Sequence, residues 1–211
     1  MSIILPDNDH TRAQAARIVR GGGIIAFRTD TFYGLGVDPF NEGALKRLKK
    51  LKGREDGKPI LVVIGEATIA DKFFAVKSRL FDVLSERHWP GPLTLILDAR
   101  DEVSVELTAG TRTIGVRLPD DDDVRAFVNE CGGALTATSA NAAGKPPARS
   151  AAEVFTYFPA GVTVFDGGAS RTERPSTVLD LTGADARLLR EGVVTRGELS
   201  ETLRRIGATL K

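Results

Sequence analysis

The sequence predicts an α/β fold, on three observations. Short apolar runs of strand character alternate with segments of helical periodicity along most of the chain. Hydrophobic residues make up 42% and charged residues 27% of its 211 residues, ordinary usage for a chain able to bury a continuous core. No internal repeat, linker or low-complexity stretch interrupts the alternation, so residues 1–211 are expected to form one domain.

A first helix is predicted over residues 9–20, where Ala13, Ala16 and Val19 recur at helical spacing, and Gly21, Gly22 and Gly23 end it. Residues 24–27 read as a buried strand, and the polar, glycine-bearing stretch 29–36 as the loop that follows. Asn41 caps a second helix in which Leu45, Leu48 and Leu51 face the core while Lys46, Arg47, Lys49 and Lys50 face water. Further strands are predicted over 60–64, 93–97, 113–118, 134–138, 162–165, 177–181 and 187–189. Helices are predicted around Leu80, Val83 and Leu84, then over 124–131, 151–157 and 196–206. Trp89-Pro90-Gly91-Pro92 marks the turn before the strand at 93.

A formal net charge of +1 argues against nucleic-acid binding as the main task, so any polyanion site must be local. The one cysteine, Cys131, has no intramolecular partner and apolar neighbours, as suits a buried thiol in a reducing compartment. No apolar run reaches the ~18 residues of a membrane helix, and the start of the chain, with Asp7 and Asp9, does not read as a signal peptide. A cytoplasmic location is expected.

Several familiar chemistries lack their residues. Gly21 to Gly23 follow a helix and precede a strand, the reverse of a dinucleotide-binding turn, and Gly144-Lys145 lacks the upstream glycine of a phosphate loop. Two distant histidines, His10 and His88, and no Cys-x-x-Cys give a zinc or di-iron centre little support. Asp120 to Asp123 read as a solvated turn with charge at a helix N-terminus. Ser139 has neither a glycine-flanked elbow nor a nearby histidine, which disfavours a hydrolase nucleophile.

Other residues point to a bound anion. Between positions 46 and 58 seven basic residues face Glu55 and Asp56, a local net charge of +5. Lys46, Arg47, Lys49 and Lys50 read as a solvated helix face. Gly53 and Gly57 break the helix around Lys52, Arg54 and Lys58, leaving cations in a loop suited to a triphosphate, arginine by two-point contact and lysine as a point charge. Thr29-Asp30-Thr31, Thr138-Ser139-Ala140-Asn141 and Ser176-Thr177 each lie where a strand meets a loop, the usual place for ligand groups in open α/β sheets.

Taken in order, these segments resemble the YrdC-like family of threonylcarbamoyl-AMP synthases, in its short, single-domain branch. The elements are Gly22 to Phe27, Thr29 to Gly36, Lys52-Gly53-Arg54 with Lys58-Pro59, and Trp89 to Thr94. Val116 to Pro119, Ser139-Ala140-Asn141, Ser176 to Asp180 and Leu189 to Gly192 complete the set. The resemblance implies a twisted, open, mostly parallel or mixed sheet with flanking helices, curved around a positively charged cavity. It implies an enzyme that joins L-threonine, bicarbonate and ATP into threonylcarbamoyl-adenylate, with Mg2+ accompanying ATP, in the making of threonylcarbamoyladenosine in tRNA. By position, Thr31, Arg117, Ser139 and Ser176 match residues that hold threonine; Lys52, Arg54, Lys58, Asn141 and Arg190 match the ATP side. Lys52, Arg54 and Lys58 are the catalytic candidates. Downstream tRNA-modification proteins and weak RNA contact are the implied partners, and no membrane. Arg28 stands where the family usually has proline, Val63 where some members have histidine, and Glu191 where proline is common. Two other readings stay open: a relative forming another carbamoyl-adenylate, and a non-catalytic RNA-binding module favoured by the basic 46–58 stretch.

Overall fold

The computed structural model describes residues 2–53, 59–142 and 144–211, arranged as two mixed sheets with flanking helices. The strands are β1 (Ile3–Pro6), β2 (Ile25–Arg28), β3 (Tyr33–Gly36), β4 (Val62–Ile64), β5 (Leu93–Asp98), β6 (Thr113–Arg117), β7 (Ala134–Thr136), β8 (Thr138–Ser139), β9 (Thr163–Asp166), β10 (Thr177–Asp180) and β11 (Arg187–Arg190). The helices are α1 (Asp9–Arg20), α2 (Glu42–Lys52), α3 (Arg79–His88), α4 (Val105–Thr108), α5 (Asp122–Glu130), α6 (Ala151–Tyr157) and α7 (Arg196–Arg204), with a 3-10 turn at Ala67–Lys72. The first sheet runs β1-β9-β2-β3-β8, the second β11-β10-β5-β6-β4-β7. The mixed α/β class is as the sequence predicts, but the strands divide between two sheets where one open sheet was expected.

Helix starts follow local chemistry. Asn8 and Thr11 form a reciprocal cap on α1, and Asn41 Oδ1 accepts from the Ala44 amide at 3.0 Å to open α2. At the other end of α1, the amides of Gly21, Gly22 and Gly23 return to the carbonyls of Arg17, Val19 and Ile18, closing the helix as the glycine run predicts.

Two expectations fail for tertiary reasons. The stretch 29–36 is not all loop, because β3 pairs antiparallel with β2 and buries Tyr33 and Leu35. Gly36 is there for closeness: a Cβ on it would stand 2.8 Å from the Phe27 ring. The strand predicted over 134–138 breaks at Ala137, where the chain leaves β7 in the second sheet and enters β8 in the first. Ala137 donates to the Leu61 carbonyl at 2.8 Å at this crossing, an arrangement that no local pattern announces.

The larger apolar cluster draws on both sheets, from Ala26 and Leu35 to Leu95 and Val116, with Leu45 and Leu48 of α2 and Leu199 and Leu203 of α7. A smaller cluster lies under α1 and α5, where Phe127 stacks on Phe27 at 5.5 Å and meets Phe165 edge-on at 5.4 Å. Cys131 is buried there, and burial first, then Glu130, pushes its thiol up to about 12, so it stays protonated and inert. No described helix is long and apolar enough to cross a membrane.

His88, in the last turn of α3, shares a 2.9 Å hydrogen bond with the Thr202 hydroxyl on α7. Burial, and secondarily Arg87, lowers its pKa below 6.5, against the opposing pull of Glu198. The unfolded chain therefore takes up the proton first, and stability should fall as pH drops below about 6.5. Thermal melts between pH 7 and 5 should show this decline in the wild type and a flatter profile in His88→Gln; equal slopes would remove His88 as the cause.

Candidate active site

A cavity of about 220 Å3 opens where the two sheets meet. Its wall carries Thr29 and Thr31 from the turn after β2, Ser139 from β8, Thr94 from β5, Arg117 from the end of β6, Ser176 from just before β10, and Arg190 from the end of β11. Five of the residues singled out in the sequence, Thr31, Arg117, Ser139, Ser176 and Arg190, thus share one hollow. The described lining contains two arginines and no carboxylate.

Arg117 is the buried centre of one side. Its Nη1 donates to the Thr31 hydroxyl at 3.2 Å, and its Nη2 to the Thr29 hydroxyl at 3.3 Å, while Asp30 stands 3.2 Å away as counter-charge. Thr29 is itself fixed, its hydroxyl donating to the Phe32 carbonyl at 2.7 Å and accepting from the Thr31 amide at 3.1 Å. The Arg117 Nε makes no hydrogen bond among the described residues, which leaves one donor of the fork unspent. A guanidinium held this way, its orientation fixed by two hydroxyls and its charge balanced from behind, is preorganised for a small carboxylate.

Beside Arg117 on the same sheet, Ser176 is buried and shares a 3.1 Å hydrogen bond with Thr94. Arg190 lies across it, donating through Nε and Nη2 to the Ser176 carbonyl at 3.1 and 2.9 Å and through Nη2 to its hydroxyl at 3.1 Å. Gly192 makes this approach possible: a Cβ there would stand 2.1 Å from the Pro175 carbonyl oxygen. Burial of the Arg190 guanidinium, and secondarily the Arg117 charge, lowers its pKa from the ordinary arginine value. Two cations that disfavour each other across one hollow invite an anion between them.

Lys52 ends α2, which Gly53 closes in the left-handed conformation at φ +55°. Its Nζ reaches the Ser139 and Asn141 carbonyls at 2.7 and 2.6 Å and Asn141 Oδ1 at 3.1 Å; Ser139 Oγ donates to the same Oδ1 at 2.6 Å. Lys52, Ser139 and Asn141 are therefore hydrogen-bonded into one unit. Arg54 and Lys58, assigned to ATP from the sequence, lie outside the described residues.

Sequence reasoning placed Thr29 and Asp30 in a strand-end segment suited to ligand groups and quoted Thr94 within a motif, but gave none of them an individual role. The structure makes Thr29 and Thr94 hydroxyl partners of Thr31 and Ser176, and Asp30 the counter-ion of Arg117. Val63 contributes an apolar part of the wall. One charge assignment needs correcting: of the four acids at 120–123, Asp121 is buried and paired with Arg28, so the run is not wholly solvated. Among the described residues no three His, Cys, Asp or Glu side chains gather as a metal cage.

A family model, Sua5_yciO_yrdC, described as telomere recombination, matches residues 17–192. A threonylcarbamoyl-AMP synthase of Thiobacillus denitrificans is 40% identical over 172 residues, covering 82% of this chain and 90% of that protein. The crystal structure of P. abyssi Sua5 complexed with L-threonine matches with a TM-score of 0.91 at 31% identity, over 100% of this chain and 62% of that one. E. coli YciO matches with a TM-score of 0.80 at 28% identity, over 92% and 97% of the two chains. This chain thus spans about three fifths of the length of P. abyssi Sua5.

Proposed function

Because the chain belongs to the Sua5/YciO/YrdC family, we propose that it is a threonylcarbamoyl-AMP synthase, a nucleotidyltransferase that consumes L-threonine, bicarbonate and ATP and releases pyrophosphate. The observation that carries this reading is the preorganised Arg117 fork at the bottom of a cavity sized for an amino acid. At about 220 Å3 the hollow falls below the ~300–1,000 Å3 of sites for larger ligands. The triphosphate then extends over the mouth, along Lys52, Asn141 and Arg190.

No side-chain nucleophile is needed. The threonine amine attacks bicarbonate, the new N–C bond forming as hydroxide departs and takes up a proton as water. A carbamate oxygen then attacks the ATP α-phosphorus, and the bond to the bridging oxygen breaks with its electron pair leaving on pyrophosphate. What the protein supplies is alignment and charge. Arg117 orients the threonine carboxylate, the Thr31 and Ser176 hydroxyls are placed to read its polar groups, and Lys52, Arg54, Lys58 and Arg190 balance the charge that shifts to the leaving group. Mg2+ accompanying ATP would be held mainly by phosphate oxygens and water, and would screen the triphosphate charge.

Pyrophosphate release is expected only when threonine, bicarbonate and Mg-ATP are all present. Release without threonine would sink the reading, and turnover with carbamoyl phosphate in place of threonine would move the chain to another carbamoyl-adenylate chemistry. We propose in addition that one domain suffices for the reaction, that the product is used in the cytoplasm for threonylcarbamoyladenosine in tRNA, and that tRNA-modification proteins receive it. RNA contact is weak on this reading, given the +1 net charge.

A further inference from the structure

Behind the threonine side of the cavity lies a buried ionic junction that the reaction does not use directly. Asp121 Oδ1 accepts from the Val124 amide at 3.2 Å and caps α5. Its Oδ2 stands 2.8 Å from Arg28 Nη1 and 3.1 Å from Arg171 Nη1. The Asp121 and Arg28 side chains are 1% and 7% exposed, whereas that of Arg171 is 63% exposed. Neither Asp121 Oδ2 nor Arg28 Nε completes an aligned hydrogen bond among the described residues, so charge attraction more than bond geometry holds the three together. None of the three lines the cavity.

Their places in the chain give the junction its meaning. Arg28 is the residue before Thr29, Asp121 follows Arg117 by four positions, and Arg171 sits on the connection that ends at Ser176. One carboxylate therefore ties together the three segments that present Thr29 and Thr31, Arg117, and Ser176. Burying charge in this way costs desolvation that apolar packing would avoid, so bulk stability does not explain it, whereas a fixed register between three segments does.

We propose that Asp121, through Arg28 and Arg171, is a positioning residue for amino-acid binding, setting the spacing of the Thr31, Arg117 and Ser176 side chains. The proposal rests on the functional reading above. Asp121→Asn keeps a side chain that caps α5 equally well while cancelling the charge. Calorimetry should show threonine binding weakened by about ten-fold in this variant, with ATP binding within about two-fold of wild type. Arg171→Ala, at the exposed arm, should shift threonine binding the same way by about three-fold without lowering the melting temperature, and should add nothing further on top of Asp121→Asn. Arg28→Lys, which keeps the charge, should retain most of the affinity.

Equal losses for threonine and ATP, or unchanged threonine affinity in folded Arg171→Ala, would overturn the proposal. If Asp121→Asn does not fold, the Arg171→Ala result alone decides. Failure of the wild-type protein to bind threonine would instead remove the functional reading, so the two failures are distinguishable.

Discussion

Replacing Arg117 with lysine should raise the threonine concentration for half-maximal turnover by about 30- to 150-fold while leaving the requirement for ATP nearly unchanged. The guanidinium forks between two threonine hydroxyls, and Asp30 balances its charge. Lysine keeps the charge near Asp30 but has no planar fork, so the ligand carboxylate loses a charged hydrogen bond worth about 2–3 kcal/mol. Arg117→Ala removes the same contact and also leaves Asp30 buried without its partner, a further destabilisation of about 3–5 kcal/mol. The alanine variant should therefore melt earlier as well as bind threonine poorly, and the lysine variant should separate the two effects. Saturation curves for each substrate, with thermal melts alongside, make the comparison; a matching rise for ATP in Arg117→Lys would contradict the division of the cavity.

The second large effect is expected at Lys52. Its ammonium already meets three oxygens of residues 139 and 141, and an arriving phosphate oxygen must take over one of these contacts. Lys52→Met removes the cation and the tie that holds Ser139 and Asn141 against the end of α2. Adenylate formation should fall by about 100- to 1,000-fold, the scale of losing one preorganised charge beside a departing anion. Threonine binding, centred on Arg117, should fall much less than adenylate formation, by the share that Ser139 contributes. Calorimetry with each ligand, beside a pyrophosphate assay, separates the outcomes: a threonine loss as large as the ATP loss would place Lys52 with the amino acid.

What was readable in the sequence was mostly what local chemistry decides. Helix α1 and its glycine exit, the Asn41 cap of α2, helix α6 and the cores of β5 and β6 follow from caps, periodicity and turn residues within a few positions. Their arrangement was not readable. β9 enters between β1 and β2 although it lies more than 130 residues after both, and nothing in the residues around 163 specifies that register. Gly34 and Gly36 read as loop because glycine seldom gains from a strand, yet at Gly36 close packing against Phe27 demands it.

The site divides the same way. Thr31, Arg117, Ser139, Ser176 and Arg190 were identified by the motifs around them, and they do converge. Asp121 was misjudged because an acid among three other acids looks solvated, and its partner Arg28 is 93 positions away. Asp30 was noted only as part of its Thr-Asp-Thr segment, because its pairing with an arginine 87 positions away leaves no local pattern.

The seam at Ala137 has a last consequence. Thr31 and Ser139 belong to the first sheet's side of the hollow, and Arg117, Ser176 and Arg190 to the second. A molecule bound there works as a rivet across halves already joined by apolar contact and by the polar ties of Arg117 to Thr29, Thr31 and Asp30. Saturation at a hundredfold excess over Kd should add about 2.7 kcal/mol to the folded state, and the gain should register as slowed amide exchange on both flanks of the seam.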